Sequence, residues 1–218
     1  MAYAVKEIFF TLQGEGANAG RAAVFLRFSG CNLWSGRPED RATGRGGCSR
    51  WCDTDFVGQD GTGGGKFETA GQLAEAVAAV WPSAGPTTAC ASPLVVCTGG
   101  EPLLQLDEAL TGAIKEAGFE IAVETNGTLT PPKGVDWVCV SPKAGTRVVL
   151  RTGQELKFVY PQEGLSPEEF LDCNFDHFFL QPLDGPEGDE NTKRTLQYCL
   201  SNPQWRLSLQ THKLLGIP

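Results

Sequence analysis

Basic residues are scarce in this chain. Lys and Arg number 18 against 26 Asp and Glu, a formal charge of -8 over 218 residues. The cationic excess that drives binding to a phosphate backbone is missing, so no nucleic-acid partner is expected. Long apolar runs are missing too. The start, MAYAVKEIFF, lacks the cationic opening and apolar core of a signal peptide, and nothing after it is long enough to span a membrane. A cytoplasmic protein without a membrane partner is expected. No Pro-, Gly- or Ser-rich linker divides the chain into halves that could fold alone, which points to a single domain over residues 1–218. Histidine is nearly absent, with only His177 and His212, both far from the cysteine-rich N-terminal third.

Cysteine, in contrast, occurs eight times. A reducing compartment favours free thiols or metal ligands over disulfides. Cys97 and Cys139 sit in apolar strand-like runs, Cys199 on an apparent helix, and Cys90 and Cys173 in connecting segments, so these five read as structural thiols. The other three, Cys31, Cys48 and Cys52, share one loop with the oxygen side chains of Asp53, Thr54 and Asp55. Thiolates suit an iron-sulfur cluster or zinc; hard oxygens suit magnesium. Three cysteines leave one corner of a four-iron cluster open to an outside ligand. A structural zinc site needs a fourth protein ligand, for which no local spacing exists. On the cysteines alone, a cluster, zinc and three unrelated thiols all remain open.

Residues 3–10 and 22–28 read as strands joined by the polar turn LQGEGANAG, where Gln13 and Glu15, with Arg27 on the second strand, stand out. The cluster loop follows as an insertion over about 31–66, and its glycine-rich run from Gly58 to Gly65 reads as a flexible surface connection. Thr69 and Gln72 form a capping box for a helix over 69–81, which Pro82 stops. PLVVC is a buried strand running into TGGEP, and Asp107 caps the next helix, with Leu110 and Ile114 inside and Gly118 as its stop.

The unit then repeats. FEIAV hands over to ETNG, WVCV to SPK, HFFL to QPLDG with a helix near 192–200, and RLSL to QTHK, while LKFV runs into YPQ. Alternating strands and helices imply a parallel sheet with functional groups at the C-terminal strand ends. Thr98, Glu101, Glu124, Asn126, Ser141, Lys143, Gln181 and His212 would then converge on one rim. Helical periodicity is poor around 145–156 and 161–172, which predicts an α/β fold: a partial, open TIM-like barrel of about six parallel strands with an incomplete helical layer.

EIFFTLQGEG, FLRFSGCNLWSG, CDTDF, CTGGEP, ETNG, VSPK, QPLDGP and QTHKLLGIP, in that order, resemble the radical S-adenosylmethionine superfamily and, within it, the 7-carboxy-7-deazaguanine synthase family. The resemblance implies a 4Fe-4S cluster on Cys31, Cys48 and Cys52 whose open iron is chelated by S-adenosylmethionine. It also implies a radical-mediated ring contraction of 6-carboxy-5,6,7,8-tetrahydropterin, with loss of ammonia, to 7-carboxy-7-deazaguanine, which feeds queuosine and other 7-deazapurines. A homodimer and a flavodoxin-type reductant come with it.

By resemblance, Thr98, Gly99, Gly100 and Glu101 hold the methionine part of S-adenosylmethionine. Glu124, Asn126, Ser141, Pro142, Lys143, Gln181, Pro182, Leu183 and Asp184 line the rest, with Trp51, Cys52 and Asp53 in contact. Leu12, Gln13, Gly14, Glu15, Arg27 and Thr98 hold the pterin, Arg27 pairing bidentately with its carboxylate. His212 and the terminal carboxylate of Pro218 reach it as well, and Thr54 is a magnesium ligand.

The spacing departs from the superfamily pattern. It runs Cys-x16-Cys-x3-Cys rather than Cys-x3-Cys-x2-Cys, and alignment on Cys52 puts Ser49 where the second ligand belongs. A bulge at Gly46 and Gly47 that brings Cys48 to the iron is the preferred reading over unusual ligation. The alternatives are another radical enzyme of the superfamily, such as a glycyl-radical activase, and a zinc-stabilised binding module.

Overall fold

A computed structural model describes residues 2–82 and 92–218; the reading of Cys90 lies outside them. Strand β1 (Tyr3–Leu12) pairs antiparallel with β2 (Ala22–Phe28) and with the short β3 (Gly65–Phe67). There follow α1 (Ala70–Val80), β4 (Leu94–Gly99), α2 (Glu108–Glu116), β5 (Glu120–Thr125), β6 (Trp137–Val140), β7 (Thr152–Tyr160), β8 (Asn174–Pro182), α3 (Gly188–Ser201), β9 (Arg206–Leu207) and α4 (Thr211–Leu215).

Among the described residues the strands form one open sheet in the order β3-β1-β2-β4-β5-β6-β7-β8-β9. From β2 to β9 every neighbouring pair is parallel. The parallel part therefore has seven strands, one more than expected, because the two-residue β9 completes it. The sheet does not close on itself, since β3 and β9 remain edges.

Helices form where the sequence supplies both a cap and an apolar stripe. Thr69 accepts from the Gln72 amide in a complete capping box, and Asp107 accepts from the Leu110 amide. Each satisfies amide donors that a helix N-terminus otherwise leaves orphaned. Leu73 and Val77 of α1 and Leu110 and Ile114 of α2 are buried against Val24, Leu26, Val95 and Ile121 on one face of the sheet. Burying each such side chain stabilises by roughly 1.5–3 kcal/mol. A second core, around Leu156, Phe158, Leu180 and Trp205, packs near α3.

No helix joins β5 to β6 or β6 to β7 among the described residues, and only the 3-10 turn Pro167–Phe170 lies between β7 and β8. The helical layer is incomplete, as the poor periodicity indicated. Helix α3 starts earlier than expected, at Gly188, with Asp189 and Glu190 in its first turn, where negative charge is favoured.

The glycine-rich run at 58–65 differs from its reading as a flexible connection. Lys6 donates from Nζ to the Val57 carbonyl and Asp60, the Gly61 amide donates to the Lys6 carbonyl, and the Ile8 amide donates to Thr62. A Cβ on Gly64 would stand 2.2 Å from the Lys6 oxygen, so the run is glycine-rich because it is pressed flat against β1. No helix among the described residues is long and apolar enough to cross a membrane.

Candidate active site

Strand alternation decides which side chains face the concave side of the sheet. Val24, Leu26, Val95, Cys97, Ile121 and Val123 go to the helix-covered core. Their sequence neighbours Phe25, Arg27, Thr98 and Glu124 line a cavity of about 400 Å³. Register fixes their order across the sheet: Arg27 stands opposite Thr98, Glu124 opposite Cys139, Cys139 opposite Glu155, and Val159 opposite Gln181.

The GGE turn at the end of β4 is set by close approach. Gly99 has φ +140°, and a Cβ there would stand 2.3 Å from the Phe28 oxygen; one on Gly100 would stand 2.3 Å from the Gly30 oxygen and 2.6 Å from Cys31 Cβ. Only glycine lets the end of β4 lie against the start of the cysteine loop.

Glu101 then turns inward and is 0% exposed. Its Oε1 accepts from the Leu103 amide (3.0 Å) and the Thr125 hydroxyl (2.7 Å), and its Oε2 from the Asn126 amide (2.8 Å). Burial raises its pKa against these three bonds. It ties β4 to β5 rather than lining the cavity.

The cysteine loop brings two of the three cysteines onto one turn. Residues Gly47–Arg50 form a 3-10 turn, and the Cys52 amide donates to the Cys48 carbonyl at 2.7 Å, so Cys48 and Cys52 flank one compact turn. Ser49 is engaged elsewhere: its hydroxyl donates to the Arg41 carbonyl (2.8 Å), and Arg41 donates back to its carbonyl (2.9 Å). Cys48 is buried; Cys31 and Cys52 are half-buried.

Burial pushes the Cys48 thiol up to about 11, with Lys143 opposing and Cys52 and Cys31 adding to the rise; burial raises Cys31 as well. Cys48 thus lies near enough to both other thiols to feel their charge. Three thiolates in one loop suit a cluster, where each takes a different iron, whereas a closed zinc site takes four protein ligands at one point.

Beside the thiols, Lys143 lies 5.5 Å from the Trp51 ring and donates to Ser141 Oγ (2.5 Å). Asn126 donates to Asn32, which follows Cys31 directly, at 3.0 Å. These contacts couple the ETNG and SPK strand ends to the cysteine loop. Thr54 lines the cavity between two occupied carboxylates: Asp53 pairs with Lys213 (2.6 Å) and Asp55 with Lys6 (2.8 Å).

At the other end, Phe9 and Phe25 stack with centroids 5.4 Å apart and form an apolar wall. Arg27 donates from Nε to Glu7 (2.7 Å). Glu15 is half-buried, pairs with Lys157 (2.7 Å) and accepts from Gln181 (3.0 Å) and Gln210 (2.9 Å). Burial alone would raise its carboxyl, but the Lys157 charge outweighs it and lowers the pKa to about 2.

Glu124 goes the other way. Burial raises it, and Glu155 and Glu15 add to the rise against the opposing Lys157. One carboxylate stays ionised, and its neighbour holds a proton to higher pH. Gln13 donates to Glu124 (3.2 Å). Leu12, Gly14, His212 and Pro218 complete this end of the cavity.

Not every expected residue reaches it. Pro142 offers its carbonyl to Gln162 (3.1 Å), Pro182 lies in register with Tyr160, and Leu183 faces a second cavity of about 390 Å³ that shares Trp51 with the first. Asp184 is bound by Lys213 at 2.5 Å. Glu7, Phe9, Lys157, Gln210 and Lys213 were missed. For Lys157 a signal exists: Glu155 and Lys157 are alternate charged positions in an otherwise apolar strand, the mark of a polar inner face.

No family model matches the chain. Relatives named 7-carboxy-7-deazaguanine synthase match it from end to end. The one from Caulobacter vibrioides is 62% identical over 218 residues, and that from Bordetella pertussis is 61% identical over 218 residues; 100% of both chains is covered in each case. The one from Bradyrhizobium diazoefficiens is 59% identical over 217 residues, again with 100% of both chains covered. The crystal structure of QueE from Escherichia coli superposes with a TM-score of 0.65 at 25% identity, covering 96% of this chain and 94% of that one. Full-length identity at this level, on a shared fold, means that the chain belongs to the 7-carboxy-7-deazaguanine synthase family.

Proposed function

We propose that the protein contracts the ring of 6-carboxy-5,6,7,8-tetrahydropterin to 7-carboxy-7-deazaguanine with release of ammonia, and that Cys31, Cys48 and Cys52 hold the cluster. The observation that carries this reading is the turn that sets Cys48 beside Cys52 while Ser49 is bound to Arg41. The cluster and S-adenosylmethionine, when bound, supply a hydrogen-abstracting radical. Thr98, Gly99, Gly100, Asn126, Ser141 and Lys143 are the residues near the thiols that suit the methionine and ribose parts. Glu101 supports them from behind.

Arg27 has only Nε engaged among the described residues, which leaves its Nη groups for the substrate carboxylate. Phe9 and Phe25 offer a flat apolar wall for the pterin ring. Ionised Glu15 can only accept hydrogen bonds and so suits pterin N–H groups, while Gln13 both donates and accepts. Glu124, with its raised pKa, can hold or release a proton near the ring. Thr54 is the protein ligand for magnesium, whose other positions go to substrate and water.

A homodimer, a flavodoxin-type reductant and a cytoplasmic setting belong to the same reading. The free thiols among the described residues agree with a reducing compartment. The test is anaerobic incubation of reconstituted protein with reductant, S-adenosylmethionine, magnesium and the pterin, with mass spectrometry for the product. Cleavage of S-adenosylmethionine with the pterin untouched would reject the substrate.

A further inference from the structure

We propose that Lys157 is a positioning residue for the pterin end of the cavity, its one ammonium group setting the spacing of Glu15 and Glu124. The inference rests on the reading of that end as the pterin site. Lys157 comes from β7 and is 4% exposed. Its Nζ lies 2.7 Å from Glu15 Oε2, in the segment after β1, and 2.8 Å from Glu124 Oε2, near the end of β5. Three separate parts of the chain therefore meet at one nitrogen.

Each carboxylate spends its other oxygen on neutral amides. Glu15 Oε1 accepts from Gln181 and Gln210, and Glu124 Oε1 accepts from Gln13. The remaining titratable groups around the cluster are Glu155 on the same strand, Cys139 from β6, Lys143 after β6 and His212 from α4, which faces Glu15. Among the described residues, Lys157 is the cation that bonds both carboxylates directly. The Ala17 amide donates to Glu155 Oε2 (3.1 Å), so that acid is held by backbone rather than by the lysine.

Without Lys157, Glu15 and Glu124 become two half-buried like charges left without their shared cation. Such a pair takes up protons at higher pH and loses its fixed separation. A pterin that meets both groups should then bind weakly, and its binding should fail earlier as pH falls.

Affinity for the carboxy-tetrahydropterin is measured against pH by anaerobic calorimetry. Reconstituted holoenzyme with S-adenosylmethionine and no reductant is used, so that nothing turns over. Lys157→Met is expected to weaken binding about tenfold or more at neutral pH and to move the acid limb upward by at least about one pH unit. The double variant Lys157→Met/Glu155→Gln keeps the formal charge of the wild-type cluster, and it carries the test if the single variant does not fold. It is expected to keep the displaced limb, because Glu15 and Glu124 still lack their partner.

An unmoved limb with the same loss at every pH would overturn the inference. So would a double variant whose limb returns to the wild-type position, since net charge rather than placement would then be the cause. Wild-type protein that does not bind the pterin at all would instead overturn the proposed function.

Discussion

His212 occupies the space that a side chain on residue 14 would need. A Cβ on Gly14 would stand 2.3 Å from His212 Nδ1, and Thr211 donates to the Gly14 carbonyl from both its amide (3.0 Å) and its hydroxyl (2.8 Å). The segment after β9 is thus docked on the loop after β1, and its last residue accepts from Thr11 (3.0 Å). Gly14→Ala should push the histidine off the cavity. Overpacking of about 1–3 kcal/mol corresponds to a KM for the pterin raised roughly 5- to 100-fold. S-adenosylmethionine cleavage without pterin should be unchanged, and an unaltered pterin KM would mean that the histidine does not meet substrate.

Arg27→Lys keeps the charge but loses the planar fork. A lost charged hydrogen bond of about 1.5–3 kcal/mol corresponds to a KM raised roughly 10- to 100-fold. A pterin analogue lacking the carboxylate should bind wild type and variant alike. A variant that still discriminates between pterin and analogue as wild type does would remove Arg27 from carboxylate recognition.

Thr54→Val removes one hydroxyl at nearly constant shape. Stimulation by magnesium should be lost while S-adenosylmethionine cleavage continues. Asp55→Asn should keep the stimulation, because Asp55 is already paired with Lys6. The opposite pattern would place the ion on the aspartate.

Glu15 gives stability a pH dependence of definite sign. Its carboxyl lies at about 2 in the folded chain against 4.5 for the free group, with the burial penalty outweighed by Lys157. A depressed folded pKa contributes stability that is present above about 4.5 and lost as pH falls toward about 2. In urea unfolding of the protein as purified, wild type should lose stability across that window, and Glu15→Gln should lose less. Equal slopes would show that Lys157 does not hold the group ionised.

Much of this was legible in the sequence because strand ends and caps leave local marks. Thr69 with Gln72, Asp107, and the TGGEP, ETNG and SPK junctions all lie where read. What was not legible depends on contacts distant along the chain. The alternation of Glu155 and Lys157 marks a polar face, but the partner of Lys157 does not show until Glu15, 142 positions earlier, is brought to it. The run at 58–65 looks flexible until Lys6 is seen against it. Asp53 and Asp184, both read as cofactor contacts, turn out to share Lys213 from α4. Nor could spacing show that the Ser49 hydroxyl is taken up by the Arg41 carbonyl, eight positions earlier.

The most direct measurement is therefore iron and sulfide content after anaerobic reconstitution of wild type, Cys48→Ala and Ser49→Ala, read beside product formation. About four irons and four sulfides per chain are expected in wild type and Ser49→Ala, with 7-carboxy-7-deazaguanine formed by both. Cys48→Ala should lose the cluster, or hold it unstably, and make no product. A Cys48→Ala protein that retains a full cluster and turns over, beside a Ser49→Ala protein that does not, would contradict the assignment of Cys48 as the second ligand.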